Sequence, residues 1–220
     1  MSVTEITTDP PGVGIVGGRG KSAGQVAAMV GELLERSAGP VFVTGTTPDQ
    51  RAAIRAAWPE ARYHARSGLT VARPVRVPLA AHVAVVTAGT SDLTVAEEAA
   101  DAARGLGLTV TTIADVGVAG LHRLLAHREL LQGVDCAIVA AGMDGALASV
   151  VVGLIACPVI ALPTSIGYGT AFGGVAALVA MVSSCTPGVA VVNVDDGLGA
   201  ALVAWRILRA CGSRRSGRMP

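Results

Sequence analysis

Residue types that bind anions or move protons stand where apolar segments end, mainly in the second half of the chain. Small residues let the backbone approach a ligand, and hydroxyls or unpaired amides at helix starts bind anionic groups. Carboxylates and histidines at such places can hold a substrate or transfer protons. The candidate binding residues are Gly89, Thr90, Ser91, Asp92, Asp115, His122, Arg123, Gly142, Met143, Asp144 and Ser165.

Each of these residues also has a purely structural interpretation. Ser91, Asp92 and Asp144 are residue types that cap helix N-termini, and for each residue taken singly the cap is the favoured interpretation. The pair at 122–123 falls in the first turns of a predicted helix, where anion binding and a plain surface role are equally favoured. Capping does not explain glycine-rich loops with acids at four of five strand ends, so together these residues predict a site.

The four cysteines Cys136, Cys157, Cys185 and Cys211 are more than 20 residues apart, with no CxxC pair and no nearby histidine. This spacing argues against a zinc site and a disulfide framework, and it is typical of a reducing cytoplasm. Cys136 and Cys157 fall in predicted core segments. Cys185 follows a helix end directly, and a cysteine in a loop can act as a nucleophile.

From Ala81 to Cys211 the chain alternates five strands with single helices. Strands separated by helices of about 10 to 15 residues form parallel βαβ units with right-handed crossovers. The pattern predicts an α/β fold with a flavodoxin-like five-stranded parallel sheet of order 2-1-3-4-5. The candidate residues then share one edge of the sheet, because ligands bind outside the carboxyl ends of such strands.

The first half of the chain predicts a small α/β domain over residues 13–78, followed by a catalytic domain over 79–211, with tails at 1–12 and 212–220. Helices are expected at 22–36 and 48–57, and strands at 40–44, 61–64 and 69–73. Gly20-Lys21-Ser22 resembles the end of a Walker loop. Ile15 stands where that motif needs glycine, and no convincing strand leads into it, so we expect an ordinary helix start.

Composition limits the classes of partner. Lys and Arg (17) nearly balance Asp and Glu (16), and aromatic residues make up 3%, which argues against nucleic-acid binding. The stretch 145–194 has no charged residue, as a membrane span would, but Pro158, Pro163 and several glycines divide it into short runs. Strands covered on both faces explain this hydrophobicity better, and we expect a cytoplasmic protein with no membrane partner.

Five ordered segments carry a family resemblance: GTSDLTVAEEAA, DVGVAGLHRLL, AAGMDGALASVVVGL, PTSIGYGTAFGGVAALVAMVSSC and GVAVVNVDDGLGAA. They resemble the synthases of pyridinium-3,5-biscarboxylic acid mononucleotide, which open the pathway to the nickel-pincer nucleotide cofactor. The sheet domain of that family is similar to phosphoribosylaminoimidazole (AIR) carboxylase. Its phosphate-binding loop corresponds to Gly89–Asp92, and its His-Arg pair to His122-Arg123.

The resemblance implies that nicotinic acid adenine dinucleotide is carboxylated at C5 of its pyridinium ring, with CO2 or bicarbonate as co-substrate, and that AMP is released. It implies Cys185 as the nucleophile, with Asp144 and Ser91 as further catalytic residues; Asp144 stands where the family carries Glu. Mg²⁺ binding stays open. The resemblance also implies a homo-oligomer, an octamer in the relatives. Because Cys185 ends a helix, topology places it at the opposite edge of the sheet from the candidate loops. Either Cys185 is not catalytic or it reaches the site of a neighbouring subunit, and we favour the shared site.

Two alternatives stay open at this stage. One is a carboxylase or mutase acting on aminoimidazole ribonucleotide, against which Cys185 and the additional first domain argue. The other is a non-enzymatic nucleotide- or flavin-binding module of flavodoxin type. With two Tyr and two Trp, the chain has few rings to enclose a flavin.

Overall fold

The computed structural model describes residues 6–8, 12–76 and 78–215. The chain divides into two compact units. The first comprises Met1–Pro78 with Arg104–Gly107, and the second comprises Leu79–Ala103 with Leu108–Pro220. Each unit contains one five-stranded sheet.

The first unit is a mixed sheet with two helices. The strands are β1 (Ile6–Thr8), β2 (Val13–Gly17), β3 (Val41–Thr44), β4 (Arg62–His64) and β5 (Leu69–Ala72), and the helices are α1 (Ala23–Arg36) and α2 (Pro48–Ala57). Their order in the sheet is β1-β2-β3-β5-β4, with β2 and β3 parallel and the other pairs antiparallel. The helices and strands predicted between residues 22 and 73 are confirmed to within one residue at their ends.

The two strands that open this unit were not predicted. β2 leads into the Gly18–Ser22 loop, so the expectation that no strand precedes this loop is wrong. β1 lies in the segment expected to be a tail, where its backbone pairs antiparallel with β2 and covers the edge of that strand. β2 contains two glycines in five residues, and β1 is a three-residue segment close to Pro10 and Pro11, so neither segment has the pattern of a strand.

Both helices of the first unit begin with a capping box. In α1 the Ser22 hydroxyl accepts from Gln25 N (3.2 Å), and the Gln25 side chain accepts from Ser22 N (2.8 Å). Thr47 and Gln50 repeat this arrangement at α2. Each box satisfies two backbone donors that a helix start leaves without partners. The predicted ordinary helix start at Lys21-Ser22 is therefore confirmed.

The Walker-like loop uses its polar groups within the protein. Lys21 Nζ donates to Gly17 O (2.7 Å), and the backbone amide of Lys21 donates to Gly18 O (3.2 Å). The buried Gln50 side-chain amide donates to Gly18 O (2.8 Å) and Lys21 O (2.6 Å). A phosphate-binding loop presents its amides and lysine to the ligand, so this geometry argues against a Walker site.

In the described part of the first unit, two hydroxyls are buried without a partner, those of Thr46 and Thr70. Thr70 on β5 is 3% exposed, and its Oγ1 makes no hydrogen bond. It lies between Val43 on β3 and Tyr63 on β4. A buried hydroxyl that has lost water and gained nothing in return lowers stability by about 1 to 3 kcal/mol.

Replacing the Thr70 hydroxyl by a methyl group should stabilise the protein. We expect Thr70→Val to raise the free energy of unfolding by about 1 kcal/mol, because valine has nearly the same shape and needs no hydrogen bond. Urea unfolding with an unchanged m-value measures the difference. The control is Thr111→Val, which should destabilise, since Thr111 Oγ1 is hydrogen-bonded to His82 Nε2 (2.9 Å). A lower midpoint for Thr70→Val would contradict the interpretation.

The second unit is built on five parallel strands. They are β6 (His82–Thr87), β7 (Thr109–Ile113), β8 (Cys136–Ala141), β9 (Val159–Pro163) and β10 (Val189–Val191). They lie in the order β7-β6-β8-β9-β10. Numbered along this unit, that is the predicted order 2-1-3-4-5, so the predicted fold class is confirmed. The strand order reverses between β6 and β8, which is where such sheets form a ligand crevice.

Six helices accompany this sheet: α3 (Leu93–Gly105), α4 (Leu121–Leu125), α5 (Arg128–Gln132), α6 (Ala146–Leu154), α7 (Val175–Val182) and α8 (Gly197–Arg215). The single helix expected over 119–132 is two helices, because His127 N bonds Leu124 O and tightens the turn between them. The apolar run AFGGVAALVAMVS predicts a helix over 171–183, but α7 begins at Val175, since Phe172 and Gly173 adopt left-handed φ angles. α8 continues into the segment expected to be a tail, as one internal glycine costs only about 1 kcal/mol.

Within the uncharged stretch 145–194, every residue of β9 is buried, and the neighbouring β8, which precedes the stretch, is also buried throughout. This burial is expected for strands that are covered on both faces. Across residues 6–8, 12–76 and 78–215, no helix has the length and hydrophobicity needed to cross a membrane.

Candidate active site

A cavity of about 460 Å³ opens at the carboxyl edge of the second sheet. Its walls come from the segments that follow β6, β7, β8 and β9, within residues 88–92, 117–119, 141–147 and 166–168. Small-molecule sites commonly enclose about 300 to 1,000 Å³. The cavity therefore has the size and the position expected for a ligand site in this fold.

Half of the predicted residues line this cavity. Those in its wall are Gly89, Ser91, Asp92, Gly142, Met143 and Asp144. Those outside the wall are Thr90, Asp115, His122, Arg123, Ser165 and Cys185. Gly117, Ile166, Gly167 and Tyr168 also line the cavity. These residues follow predicted strands directly, and that position at the ligand edge of the sheet is the signal that identifies them.

Asp92 connects two walls of the cavity. Its Oδ2 accepts from Gly89 N (2.8 Å), and its Oδ1 accepts from the Thr164 hydroxyl (2.6 Å). Asp92 is 4% exposed and Thr164 is fully buried. Both carboxylate oxygens therefore have protein partners, and the clear role of Asp92 is to shape the 89–92 loop and tie it to the end of β9. Its substrate contact stays a prediction.

At two positions in the cavity wall, another backbone segment lies so close that only glycine fits. A Cβ atom at Gly142 would stand 2.1 Å from Ile166 O, and one at Gly117 would stand 2.7 Å from Ala88 O. Any side chain would force these loops apart. The glycine predicted at 142 thus serves contact between protein segments as well as space for a ligand.

Met143 and Asp144 lie in the turn that follows β8. Met143 has φ +53°, a left-handed conformation that is unusual for a residue with a side chain. Its amide donates to Ile166 O (3.0 Å), which holds the turn. Asp144 is exposed, and its Oδ1 accepts from Ala146 N (3.3 Å) at the start of α6. Asp144 is part of the cavity wall, and this one hydrogen bond leaves acceptor sites of its carboxylate for a ligand.

Asp115 and Arg123 form an ion pair beside the cavity. Arg123 Nη1 lies 2.6 Å from Asp115 Oδ2, and the two side chains are 44% and 48% exposed. Asp115 is also fixed through its backbone amide, which donates to Thr87 Oγ1 (3.2 Å). An exposed pair of this kind contributes at most about 1 kcal/mol, so a ligand anion can compete for the arginine. His122 is exposed on the same helix.

Ser165 lies in the segment that follows β9, and hydrogen bonds join this segment to the one that follows β10. The backbone amide of Ser165 donates to Asp195 Oδ1 (2.8 Å), and the Asp195 amide donates to Pro163 O (2.9 Å). These bonds employ backbone atoms of Ser165 and leave its exposed hydroxyl at the surface. In the described part of the chain, no three His, Cys, Asp or Glu side chains are grouped closely enough to hold a metal ion.

Residues 82–218 match the family model described as AIR carboxylase. The chain belongs to the AIR carboxylase family.

The uncharacterized protein MJ0165 of Methanocaldococcus jannaschii is 46% identical to this chain over 129 residues. The aligned region is 58% of this chain and 49% of that protein, so the chain spans about half the length of the relative. Crystal structures of Treponema denticola PurE and of a variant of its PurE2 match at 22% and 23% identity. Each match has a TM-score of 0.47 and covers 59% of this chain and 80% of the other.

Cys185 lies outside the cavity of this AIR carboxylase family member. It is exposed in the turn between α7 and β10, at the amino edge of the sheet. Ser184 Oγ lies 2.8 Å from Ser149 Oγ on α6, and it accepts from Thr186 N (3.2 Å). The turn is therefore fixed to the helix that begins in the cavity wall, although the thiol and the cavity are on opposite edges of the sheet.

The cysteines within the second sheet differ from Cys185 in environment. Cys136 is buried, and burial, followed by the adjacent Cys157, raises the pKa of its thiol to about 12. Cys157 is half-buried, so its predicted place in the middle of the core is wrong; it lies in the turn before β9. Burial raises the pKa of Cys157 as well. Both environments disfavour the thiolate that a nucleophile needs.

Glu98 on α3 is a titratable group that the sequence did not single out. Its carboxylate accepts from the backbone amides of Gly197 and Leu198 at the start of α8. Burial raises its pKa from the ordinary value of 4.5 to about 7, with further contributions from Asp196 and Asp195, while the two amide donors oppose the shift. Glu98 thus joins α3 to the acidic end of β10 and changes charge near neutrality.

Glu98 should make stability depend on pH. Because its folded pKa lies above the unfolded value, the folded state binds the proton more tightly, and stability falls as pH rises from about 4.5 to about 7. We expect Glu98→Gln to match wild type at pH 5 and to exceed it at pH 8 by up to about 3 kcal/mol, in urea unfolding at both pH values. Glu129→Gln, which removes an exposed carboxylate, is the control. An equal difference at both pH values would contradict the raised pKa.

Proposed function

We propose that this protein carboxylates C5 of the pyridinium ring of nicotinic acid adenine dinucleotide and cleaves the phosphoanhydride of that dinucleotide. The products are pyridinium-3,5-biscarboxylic acid mononucleotide and AMP, in the first step of nickel-pincer nucleotide biosynthesis. CO2 or bicarbonate is the co-substrate. Family membership supports a carboxylase-type reaction on a nucleotide, and the five sequence segments that resemble the synthases support this particular substrate.

The observation that carries the proposal is the exposed Cys185 in a turn that is hydrogen-bonded to α6. Carboxylation of an electron-poor pyridinium ring needs a nucleophile that adds and then leaves, and a thiolate does both readily. An exposed turn supplies access that the buried Cys136 and the half-buried Cys157 lack. The Ser184–Ser149 contact supplies the fixed position.

The proposed steps conserve atoms and electrons. The Cys185 thiolate forms a C–S bond at C4, and the ring electrons move to give C5 the character of an enamine carbon. C5 then forms a C–C bond to CO2. A base removes the C5 proton, the ring nitrogen returns its electron pair, and the C–S bond breaks to release the thiolate. Water cleaves the phosphoanhydride separately, so no oxidant or reductant is needed.

Asp144 is the proposed base or substrate ligand. It is exposed in the cavity wall and hydrogen-bonds only weakly, at 3.3 Å, to the start of its own helix. Aspartate is one methylene shorter than the glutamate that the synthases carry here, so the substrate ring must approach the β8 turn more closely. The left-handed turn at Met143 brings this part of the backbone toward the cavity and supports such an approach.

The 89–92 loop is the proposed anion-binding segment. The buried Asp92 fixes the shape of this loop through its hydrogen bond from Gly89 N, while Ser91 is exposed and belongs to the cavity wall. Gly89 and Thr90 complete the loop. Arg123 and His122 lie beside it, and we propose that substrate phosphate or carboxylate draws Arg123 away from Asp115. Ser165 and Asp115 are proposed contacts outside the present cavity wall.

The site is proposed to be shared between subunits of a homo-oligomer, an octamer in this family. An exposed apolar surface runs from Tyr168 in the cavity wall through Phe172 and along α7, where Val179 and Val182 are 59% and 69% exposed. Val175, Val179 and Val182 follow helical spacing and form one stripe. The stripe ends three residues before Cys185. A second copy that covers this surface therefore meets both the cavity rim and the region of the thiol.

The sharpest test concerns the nucleophile. We expect Cys185→Ser to abolish the incorporation of labelled bicarbonate into nicotinic acid adenine dinucleotide, because a serine hydroxyl is far less nucleophilic than a thiolate at neutral pH. In intact-mass spectra with substrate but no bicarbonate, wild type should show an adduct. The adduct should vanish in Cys185→Ser and persist in Cys136→Ser and Cys157→Ser. Full carboxylation by the Cys185→Ser protein would refute the mechanism.

The assembly has its own test. Val179→Lys places a charge in the apolar stripe and should convert the octamer to smaller species in sedimentation velocity, with loss of activity. Thr94→Lys, an exposed position on α3, should leave the size unchanged. Mixed oligomers of Cys185→Ser and Asp144→Asn subunits should regain activity, since some sites then combine an intact Cys185 with an intact Asp144. No recovery in demonstrably mixed oligomers would contradict the shared site.

Carboxylation of aminoimidazole ribonucleotide is the second candidate, because the matching family model carries that name. Aminoimidazole is electron-rich at carbon and attacks CO2 without a covalent catalyst. This reaction therefore needs no thiol, and it predicts full activity for Cys185→Ser. Rescue of a purine auxotroph by this chain would favour the second candidate over the first.

A further inference from the structure

A second cavity lies in the first unit, between α2 and the edge strand β4. It has a volume of about 880 Å³, and its walls come from α2, the turn at 59–61, β4 and Thr70 on β5. All of these residues belong to the first unit. The function proposed above uses none of them.

Arginine is concentrated around this cavity. Arg51, Arg55 and Arg62 line it together with one acid, Glu60, so its formal charge is +2 with His64 neutral. The whole 220-residue chain carries only +1. Guanidinium groups bind phosphate through paired, charge-assisted hydrogen bonds. A phosphate ester, which is close to a dianion at neutral pH, balances the charge of this cavity.

Arg51 is held in position before any ligand arrives. Its Nη1 donates to Thr46 O (2.8 Å), and its guanidinium lies 4.2 Å from the centroid of the Tyr63 ring. Arginine has five N–H donors, so most of its donor capacity remains for a ligand. A side chain that is already ordered loses less conformational entropy on binding.

The rest of the cavity is suited to an apolar ring. Ile54, Pro59 and Ala61 contribute apolar wall, and the Tyr63 ring is 42% exposed. Thr70, whose buried hydroxyl makes no hydrogen bond, also lines the cavity. Charged groups at the rim beside an apolar wall with a few polar atoms are typical of sites for small organic ligands.

We propose that this cavity binds a small phosphate ester that carries a ring, of about mononucleotide size. The arginines select the phosphate, and the apolar wall with Tyr63 selects the ring. The volume exceeds what inorganic phosphate fills, which favours the larger ligand. This proposal is independent of the function proposed for the second unit.

The test is calorimetric titration of the whole protein with AMP, adenosine and inorganic phosphate. We expect AMP to bind and both fragments to bind at least about tenfold more weakly, since each lacks one half of the recognition. Arg55→Gln and Arg62→Gln should each weaken AMP binding on the order of tenfold, the effect of losing one charged hydrogen bond. Both side chains are exposed, so the thermal midpoint without ligand should stay unchanged.

The matched control is Arg76→Gln, which removes the same charge from an exposed position of the first unit outside the cavity. It should leave the affinity within about twofold. Equal weakening by all three changes would indicate general electrostatic attraction and overturn the proposal. Absence of AMP binding, or binding that neither Arg55→Gln nor Arg62→Gln alters, would overturn it too, because the bound AMP would then lie elsewhere. Equal affinity for phosphate and AMP would overturn the role of the ring.

Discussion

The buried carboxylate of Asp92 holds together the loops from which the cavity of the second unit is built. Its two oxygens accept from Gly89 N and from the Thr164 hydroxyl, at the ends of β6 and β9. Thr164 is bonded in turn to Ala141 O at the end of β8. Without Asp92, a fully buried hydroxyl and a loop amide would lack partners, so this side chain fixes the end of β6 relative to the end of β9, and the backbone bond from Thr164 N to Ala141 O connects both to β8.

That fixed position permits the close backbone contacts that shape the site. Gly142 meets the carbonyl of Ile166 where no side chain fits, and Met143 is held in a left-handed conformation by its bond to the same carbonyl. Strained residues persist only where the surrounding structure determines them. The consequence is a preorganised turn that presents Asp144 in the cavity wall, while Ser91 is presented by the loop that Asp92 shapes. Preorganised groups need no reorganisation when charge develops in a reaction.

The two units place their charged and apolar groups in different ways. In the second unit the cavity wall is mostly backbone, glycine and apolar side chains, and the exposed valines of α7 extend from its rim. In the first unit the cavity is lined by arginines on one helix and one edge strand. An apolar exposed stripe favours a protein partner, and a cluster of guanidinium groups favours a small anion. The two cavities therefore differ in the kind of partner that their surfaces favour.

The sequence by itself determined the fold of the second unit. Covered parallel strands and the helices between them give a regular alternation of strand-length and helix-length segments, and this alternation depends only on local spacing in the sequence. The sequence also located most of the first unit, and it identified the strand ends that surround the cavity. It did not reveal β1 and β2, whose few residues carry no period, or the break between α4 and α5. The topology predicted from the sequence already placed Cys185 at the edge of the sheet opposite the candidate loops. Only the tertiary structure decided that Asp92 is buried between two strand ends, that Arg123 is paired with Asp115, and that Glu98 reaches α8. These properties depend on contacts between residues far apart in the chain, and neither residue type nor spacing encodes such distances.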